Sequence, residues 1–182
     1  MNLNDFWELV EATAPTTPSG RRTELLTERL AQLPLDEVRA FQLRLEEVRA
    51  PLDTMATVAL AKLVGPGFVS DDTLWYFHSW LVGLGRDALR LAVDDPDALA
   101  DHPEFHRLAA LDERMVPDWE ELDYCAASAW EEITGDEDGL EEALLAEGHD
   151  SPVNAEAVGE PWTPEQAASR MPRLTVLFAQ GS

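Results

Sequence analysis

The sequence predicts an all-α protein, a compact bundle of about six to eight helices with an acidic, partly mobile C-terminal segment. Apolar residues recur three or four positions apart in successive segments, which is the period of an amphipathic helix. No convincing alternating strand pattern appears before the apolar C-terminus, which suits a strand or a helix. A hydrophobic fraction of 45% and six tryptophans exceed what a disordered chain carries. A length of 182 residues suits one helical domain spanning residues 1–182.

Three helices are expected in the first 50 residues. The first begins after Asn2, a good helix cap, and a loop rich in proline and threonine follows at residues 14–20. The second begins near Arg21, and the third covers residues 35–50 and stops before Pro51. Arginines and glutamates of the third helix are expected to face water. The expected core residues are Leu3, Phe6, Trp7, Val10, Leu26, Leu30, Leu33, Val38, Phe41, Leu45 and Val48.

Two helices are expected in the middle of the chain. Residues 53–64 form the first of them, and Gly65-Pro66-Gly67 stops it because glycine and proline continue a helix poorly. The next helix begins after Ser70, a good cap, and ends at Gly85. It is apolar on nearly all sides, which predicts a buried helix at the centre of the bundle.

The second half contains weaker helical patterns. Residues 86–93 form a short helix, and residues 118–134 form a long one that buries Leu122, Ala126, Ala129 and Ile133. Residues 136–160 are acidic and rich in glycine and alanine, which predicts a mobile segment with a weak helix around residues 140–146. Thr163 and Gln166 form the signature of a capping box, so another helix is expected after residue 163.

The negative charge is concentrated in the second half of the chain. The formal net charge is -23, and the stretch from Asp94 to Glu160 holds 22 acidic residues against Arg107 and Arg114, a net -20. Such a field repels nucleic acids and anionic membranes and attracts basic proteins or cations. We therefore expect no nucleic-acid and no membrane partner, and a basic protein as a candidate partner. The alternative is an acidic surface that only maintains solubility.

The sequence predicts a cytoplasmic location. It contains no run of about twenty apolar residues that would span a bilayer, and its first residues have neither the basic start nor the apolar centre of a signal peptide. A single cysteine, Cys125, excludes an intramolecular disulfide and agrees with a reducing compartment. No cofactor is expected, because Gly65-Pro66-Gly67 lacks the lysine of a phosphate-binding loop.

A set of aromatic, acidic and turn residues is spread over most of the chain. It consists of Phe6-Trp7, Phe41, Arg44-Leu45, Ser70-Asp71-Asp72, Tyr76-Phe77, Trp80-Leu81, Gly85, Asp95-Pro96-Asp97 and Pro172-Arg173-Leu174. This set resembles the bacterial domain-of-unknown-function 4240 family, although His78 stands where the family pattern has a basic residue. The resemblance implies a single helical bacterial domain. It implies no reaction, because the family carries no established activity.

Acidic and aromatic residues near the start of the central helix are candidates for a ligand site. Carboxylates beside aromatic faces suit a cationic or polar ligand. The residues proposed for this site are Asp71, Asp72, Trp75, Tyr76, Trp80 and Arg86. The alternative reading is a capped helix start that leads into a core helix, which explains the same residue types.

Three other features have the residue types of reactive sites but lack the expected pattern. His102 and His106 are four residues apart, a metal-ligand spacing on a helix, but Pro103 confines His102 to the cap and no metal is expected. The run at residues 136–139 resembles the start of a calcium loop that is out of register for an EF-hand. Cys125 lies among apolar helix positions, which favours a small buried residue over a nucleophile.

These features together favour a non-enzymatic binding or regulatory module that holds a basic protein partner through Asp94 to Glu160. A competing hypothesis is a small hydrolase or ligand-modifying enzyme in a pocket around Asp71 and Asp72. A third is a structural subunit of a homodimer, for which the aromatic surplus is the indication.

Overall fold

The fold is all-α, as the helical spacing of the apolar residues predicts. The computed structural model describes residues 1–13, 19–149 and 157–179. Within these ranges no β-strand occurs, and a parallel β-bridge joins Thr54 to Val158. The α-helices are α1 (Leu3–Glu11), α2 (Ser19–Leu30), α3 (Leu35–Arg49), α4 (Met55–Val64), α5 (Asp71–Gly83), α6 (Arg86–Asp94), α7 (Pro103–Ala109), α8 (Cys125–Thr134), α9 (Gly139–Ala146), α10 (Pro164–Arg170) and α11 (Pro172–Ala179). Short 3-10 helices lie at Ala50–Leu52, Pro96–Asp101 and Glu120–Tyr124.

Local capping residues define several helix starts. The Asn2 side chain accepts hydrogen bonds from two backbone N–H groups of α1, and the Ser70 side chain accepts one from α5. Thr163 and Gln166 form the complete capping box at the start of α10. Each cap satisfies donors that the first turn of a helix otherwise leaves without a partner. These three predicted starts are confirmed.

Two compact units are distinguished by the contacts within the chain. Unit 1 comprises Met1–Ala50 with Trp119–Val153, and unit 2 comprises Pro51–Asp118 with Asn154–Ser182. Each unit is therefore built from two separate stretches of chain. One cooperative domain spanning residues 1–182 stays a prediction.

Unit 1 packs helices from both ends of its sequence around one core. In it α8 packs against α2, α3 and α9, while α1 packs against α2 and α3. The Phe6 ring lies 5.1 Å from the rings of Trp7 and Phe41, so the bulky face of α1 is docked as predicted. Leu3 and Ile133 were expected in the core, but 46% and 40% of their surfaces are exposed.

The predicted helix over residues 118–134 is divided in two. Residues Glu120–Tyr124 form a 3-10 helix, and α8 begins only at Cys125. Trp119 precedes this region in a non-helical conformation with its ring buried, and its Nε1 donates a hydrogen bond to Thr23 Oγ1 at 2.9 Å. This tertiary contact holds Trp119 outside helical geometry, so the helix cannot begin at residue 118.

Unit 2 packs α11 against α4, α7, α10 and the 3-10 helix Pro96–Asp101. Its core contains an aromatic cluster whose neighbouring ring centroids lie 5.5 to 6.5 Å apart. The cluster consists of Phe77, Trp80, Phe105 and Phe178. The C-terminus, for which the sequence left a strand or a helix open, is the helix α11.

The predicted central helix, α5, is buried over only part of its length. Residues 77–83 are buried, but Asp71 and Asp72 are exposed and residues 73–76 are partly exposed. The prediction that α5 is buried on nearly all sides is therefore correct for its second half only. The exposed half carries the polar first turn, whose carboxylates are stable in water and at the positive end of the helix dipole.

Two sequence predictions fall partly outside the described residues. Residues 14–18 of the predicted loop at 14–20 are not described, and α2 begins at Ser19 rather than near Arg21. Residues 150–156 of the predicted mobile segment at 136–160 are not described either. The predicted helix within that segment is confirmed, because α9 spans Gly139–Ala146. Mobility of the segment stays a prediction.

None of the helices in the described ranges is long and apolar enough to span a membrane.

The glycine that ends α4 is expected to resist substitution. A Cβ atom at Gly65 would lie 2.4 Å from Val116 Cγ2 and 3.3 Å from the Val116 backbone nitrogen. We expect G65A to lower the free energy of unfolding by about 1–3 kcal/mol through overpacking, measured by urea denaturation. Gly20, in the first turn of α2, is the matched control because a Cβ there meets no atom within 4 Å. G20A is expected to raise stability by about 0.5–1 kcal/mol, and equal losses in both variants would contradict the packing argument.

Candidate functional site

A dense set of carboxylates lies on unit 1 at the end of α8, in the following turn, on α9 and at the C-cap of α9. All of these side chains belong to exposed residues. We call this set the acidic surface, and it consists of Glu131, Glu132, Asp136, Glu137, Asp138, Glu141, Glu142 and Glu147.

The turn that carries the acidic surface has a defined conformation. Gly135 ends α8 with a φ of 75°, a left-handed conformation that favours glycine. The backbone N–H of Asp136 donates to Thr134 Oγ1 at 3.1 Å. A Cβ at Gly139 would lie 2.5 Å from Trp130 Nε1 and 2.9 Å from Asp136 Oδ2, so a larger residue there would have to displace both side chains. The carboxylates are thus presented by packed helices and a closely fitted turn.

Few basic groups offset this charge. Arg39 forms an ion pair with Glu147 at 2.6 Å, at the edge of the surface. No lysine or arginine occurs in the sequence between Arg114 and Arg170. Like charges therefore repel one another across the acidic surface, and a basic partner would relieve that repulsion.

Two of these carboxylates lie where they oppose the stability of their own helix. Glu131 and Glu132 are in the last turns of α8, which has no basic residue in its last turn. The C-terminus of a helix carries partial negative charge, so acidic groups there are unfavourable by about 0.3–1 kcal/mol each. Helix stability alone does not explain these two residues.

Two apolar side chains accompany the carboxylates on α8 and α9. Ile133 is 40% exposed and Leu145 is 52% exposed. An exposed surface that combines charge with isolated large apolar groups provides both electrostatic and hydrophobic contacts.

The predicted ligand-site residues on α5 are only partly brought together. Asp72 shares a helix face with Trp75 and Tyr76, which are three and four positions further on, and both rings are partly exposed. Asp71 is exposed in the same first turn, after the Ser70 cap. The same arrangement is expected for the alternative, a capped helix start that leads into a core helix.

The other two predicted residues lie in different surroundings. Trp80 is only 7% exposed, and its ring stacks on Phe77 at 5.5 Å and lies 5.6 Å from Phe105. Arg86 is exposed at the first residue of α6. The ligand site, and the small enzyme around Asp71 and Asp72, stay predictions.

Buried polar pairs were not anticipated from the sequence. Arg49, expected to face water, is 3% exposed and donates from Nη1 to Asp123 Oδ1. In unit 2, His78 Nδ1 lies 3.4 Å from Asp53 Oδ1, with His78 1% exposed. The sequence signal at His78 is a polar residue within an apolar helix. No comparable signal identifies Arg49, because its partner is 74 residues away.

Arg22 is a third buried polar residue that sequence reasoning missed. It is 3% exposed, and its guanidinium lies 3.9 Å above the centre of the Trp119 ring. Its Nη2 also donates to Thr13 Oγ1 at 3.4 Å. The group therefore combines a cation–π contact with a hydrogen bond inside unit 1.

His102 and Cys125, two of the candidates for a reactive site, are each explained by their position in the fold. His102 caps α7, with its Nδ1 accepting the N–H of Glu104 at 3.3 Å, and burial lowers its pKa. His106 is exposed on the same helix. Cys125 is buried, as predicted, and burial raises the pKa of its thiol to about 12. Across the described ranges, no three His, Cys, Asp or Glu side chains are placed to hold a metal ion.

A family model described as a protein of unknown function, DUF4240, matches residues 1–132. The match covers more than half of the 182 residues, so the chain belongs to this family and the resemblance noted in its sequence is confirmed. No curated protein and no solved structure matches the chain significantly. Residues 136–147 of the acidic surface lie beyond the matched stretch, while Glu131 and Glu132 lie inside it.

Proposed function

We propose that this member of the DUF4240 family is a non-enzymatic binding module whose acidic surface holds a basic segment of a partner protein. The observation that carries the proposal is the set of eight exposed carboxylates on α8, α9 and their turn. Charge of this density steers basic partners and raises their association rate. The sequence places the wider acidic region between Asp94 and Glu160, and the acidic surface is its most concentrated part in unit 1.

The position of Glu131 and Glu132 supports binding over mere solubility. A surface that only maintains solubility gains nothing from placing carboxylates at the negative end of a helix dipole. Exposed Ile133 and Leu145 add apolar contacts within the same surface. The preferred partner segment therefore carries basic and apolar side chains together, as an amphipathic basic helix does.

The test compares two variants that change the net charge equally. The first, E131Q/E132Q/E137Q, neutralises part of the acidic surface. The second, E8Q/D112N/E113Q, neutralises three other exposed carboxylates. Binding of a fluorescein-labelled peptide with one lysine-rich and one leucine-rich helical face is measured by fluorescence anisotropy.

The acidic-surface variant is expected to bind the peptide about tenfold more weakly, because three exposed charge pairs contribute roughly 0.5 kcal/mol each. The control variant is expected to retain most of the affinity. Raising NaCl from about 0.05 M to about 0.5 M should weaken wild-type binding steeply, since screening shortens the range of exposed charges. Equal losses in both variants, or binding that does not respond to salt, would contradict a dedicated surface.

The same variant is informative about stability. Removing the charges of Glu131 and Glu132 should leave the melting temperature unchanged or raise it slightly, because both oppose the dipole of α8. Weaker binding without weaker folding separates a role in recognition from a role in the fold.

A further inference from the structure

A cavity in unit 2 lies between the first turn of α4, the segment 157–162 and α10. Its volume is about 300 Å³, which is at the lower end of the range for small-molecule sites. The β-bridge joins two of the lining segments, because Val158 donates its N–H to the Asp53 carbonyl at 2.9 Å and accepts the Met55 N–H at 3.0 Å. Segment 157–162 is thus attached to α4 by its backbone, and its side chains are available to line the cavity.

Opposite charges line this cavity. Glu160 contributes a carboxylate and Arg170 a guanidinium. The Arg170 guanidinium lies 4.4 Å over the centre of the Trp162 ring. Stacking uses the face of a guanidinium and not its N–H donors, which lie in its plane and match the two oxygens of a carboxylate.

The remaining lining combines apolar side chains with the polar side chains of Thr54 and Gln166. Met55, Val158 and Pro161 line the cavity together with the Trp162 ring. A ligand that fits these surroundings carries a carboxylate for Arg170, a cationic group for Glu160 and an apolar body for the rest of the lining.

The charge of the whole chain favours a ligand without net charge. With a formal net charge of -23, the protein repels a free anion at long range. A free cation is repelled locally by Arg170, which already covers one face of Trp162. A zwitterion avoids both the long-range repulsion of an anion and the local repulsion of a cation. It pairs with Glu160 and Arg170 at once.

We propose that this cavity binds a small zwitterion of the free α-amino acid class with an apolar side chain. The carboxylate lies against the edge of the Arg170 guanidinium, the ammonium group faces Glu160, and the side chain lies against Trp162 and Met55. The site belongs to unit 2, and the inference does not depend on the acidic surface of unit 1.

The experiment is a titration of the full-length ¹⁵N-labelled protein followed by amide chemical shifts. The probe is L-leucine, and the comparison ligands are N-acetyl-L-leucine, which is an anion, and L-leucinamide, which is a cation. Saturable shifts with leucine are expected at the amides of Met55, Ala56, Val158, Gly159, Glu160 and Trp162. Each comparison ligand is expected to bind about tenfold more weakly, as loss of one charge-assisted contact implies.

Matched variants locate the site. R170Q and E160Q are each expected to weaken leucine binding about tenfold. R90Q is the control, because Arg90 is an exposed arginine of unit 2 on α6, and it should bind leucine as the wild type does. Unchanged shifts in the rest of unit 2 show that a variant is folded, and E160Q provides a second test if R170Q detaches segment 157–162.

Several results would overturn the proposal. The first is the absence of saturable shifts at α4 and residues 158–162. The second is equal binding of leucine and its two derivatives. The third is an equal loss of leucine affinity in R90Q and R170Q. Shifts that saturate elsewhere on the protein would overturn it as well, because they assign the ligand to another place.

Discussion

Replacement of Asp123 by alanine is expected to lower the free energy of unfolding by about 3–5 kcal/mol, one of the two largest effects that the structure implies. Arg49 is 3% exposed, and the side chain of Asp123 that accepts from it is 16% exposed. Arginine keeps its charge at any ordinary pH, so the variant cannot remove the cost by losing a proton. The buried guanidinium then loses the counter-charge of Asp123.

Chemical denaturation followed by circular dichroism measures this effect. The control is E47Q, which removes the carboxylate that pairs with Arg44 but has a side chain 65% exposed, and it should cost less than about 1 kcal/mol. The double variant R49M/D123L replaces the buried pair with apolar groups and is expected to recover most of the loss. A cost for D123A as small as that of E47Q would show that solvent reaches Arg49 freely.

Replacement of Phe105 by alanine is expected to cost about 3–5 kcal/mol in unit 2, because it leaves a cavity in the aromatic cluster. Phe105 is 0% exposed, and its ring lies 5.6 Å from Trp80 and 6.5 Å from Phe178. F68A is the control, because Phe68 is 75% exposed, and it should change stability by less than about 0.5 kcal/mol. Similar losses in both variants would contradict the packing of Phe105.

The Phe105 variant also tests the prediction of one cooperative domain. Cys125 lies in unit 1 and is buried, so alkylation of its thiol reports the opening of that unit. If residues 1–182 unfold together, F105A in unit 2 should accelerate labelling of Cys125 by about a hundredfold or more, as a loss of roughly 3 kcal/mol implies. Unchanged labelling would show that the two units unfold separately.

Labelling of Cys125 is best measured near pH 8, because the raised pKa of its thiol makes stability depend on pH only at higher pH. Burial raises the pKa of Cys125 from 9.0 to about 12 in the folded protein. Below pH 9 the thiol is largely protonated whether the chain is folded or unfolded, so pH has little effect on stability through this group. From pH 9 towards pH 12 the unfolded chain loses this proton first, and stability falls as the pH rises. Near pH 8, labelling therefore reports opening without this added destabilisation.

The structure also accounts for the one wrong burial prediction on α8, that of Ile133. Apolar spacing placed Ile133 in the core, but it lies in the penultimate position of α8, close to Gly135, where the chain turns towards α9. Ala129, one turn earlier, is buried as predicted. The period of a helix indicates which face is apolar, but the neighbouring helix covers that face over only part of its length.

The fold class, several helix starts and the concentration of charge follow from the amino-acid sequence alone. These properties are local or additive: caps such as Ser70 act within one turn, helical spacing acts over a few residues, and charge is a sum over side chains. Membership of the DUF4240 family was likewise recognisable from residues in sequence order.

The burial of polar residues and the position of cavities, in contrast, depend on how distant helices pack. Arg49 meets Asp123 across 74 residues, and the cavity in unit 2 joins α4 to segment 157–162 from about a hundred residues away. The physical reason is that an amphipathic pattern specifies the buried face of each helix but not the helix that covers it. Packing determines which helices distant in the chain contact one another, and it depends on the buried faces of all the helices together.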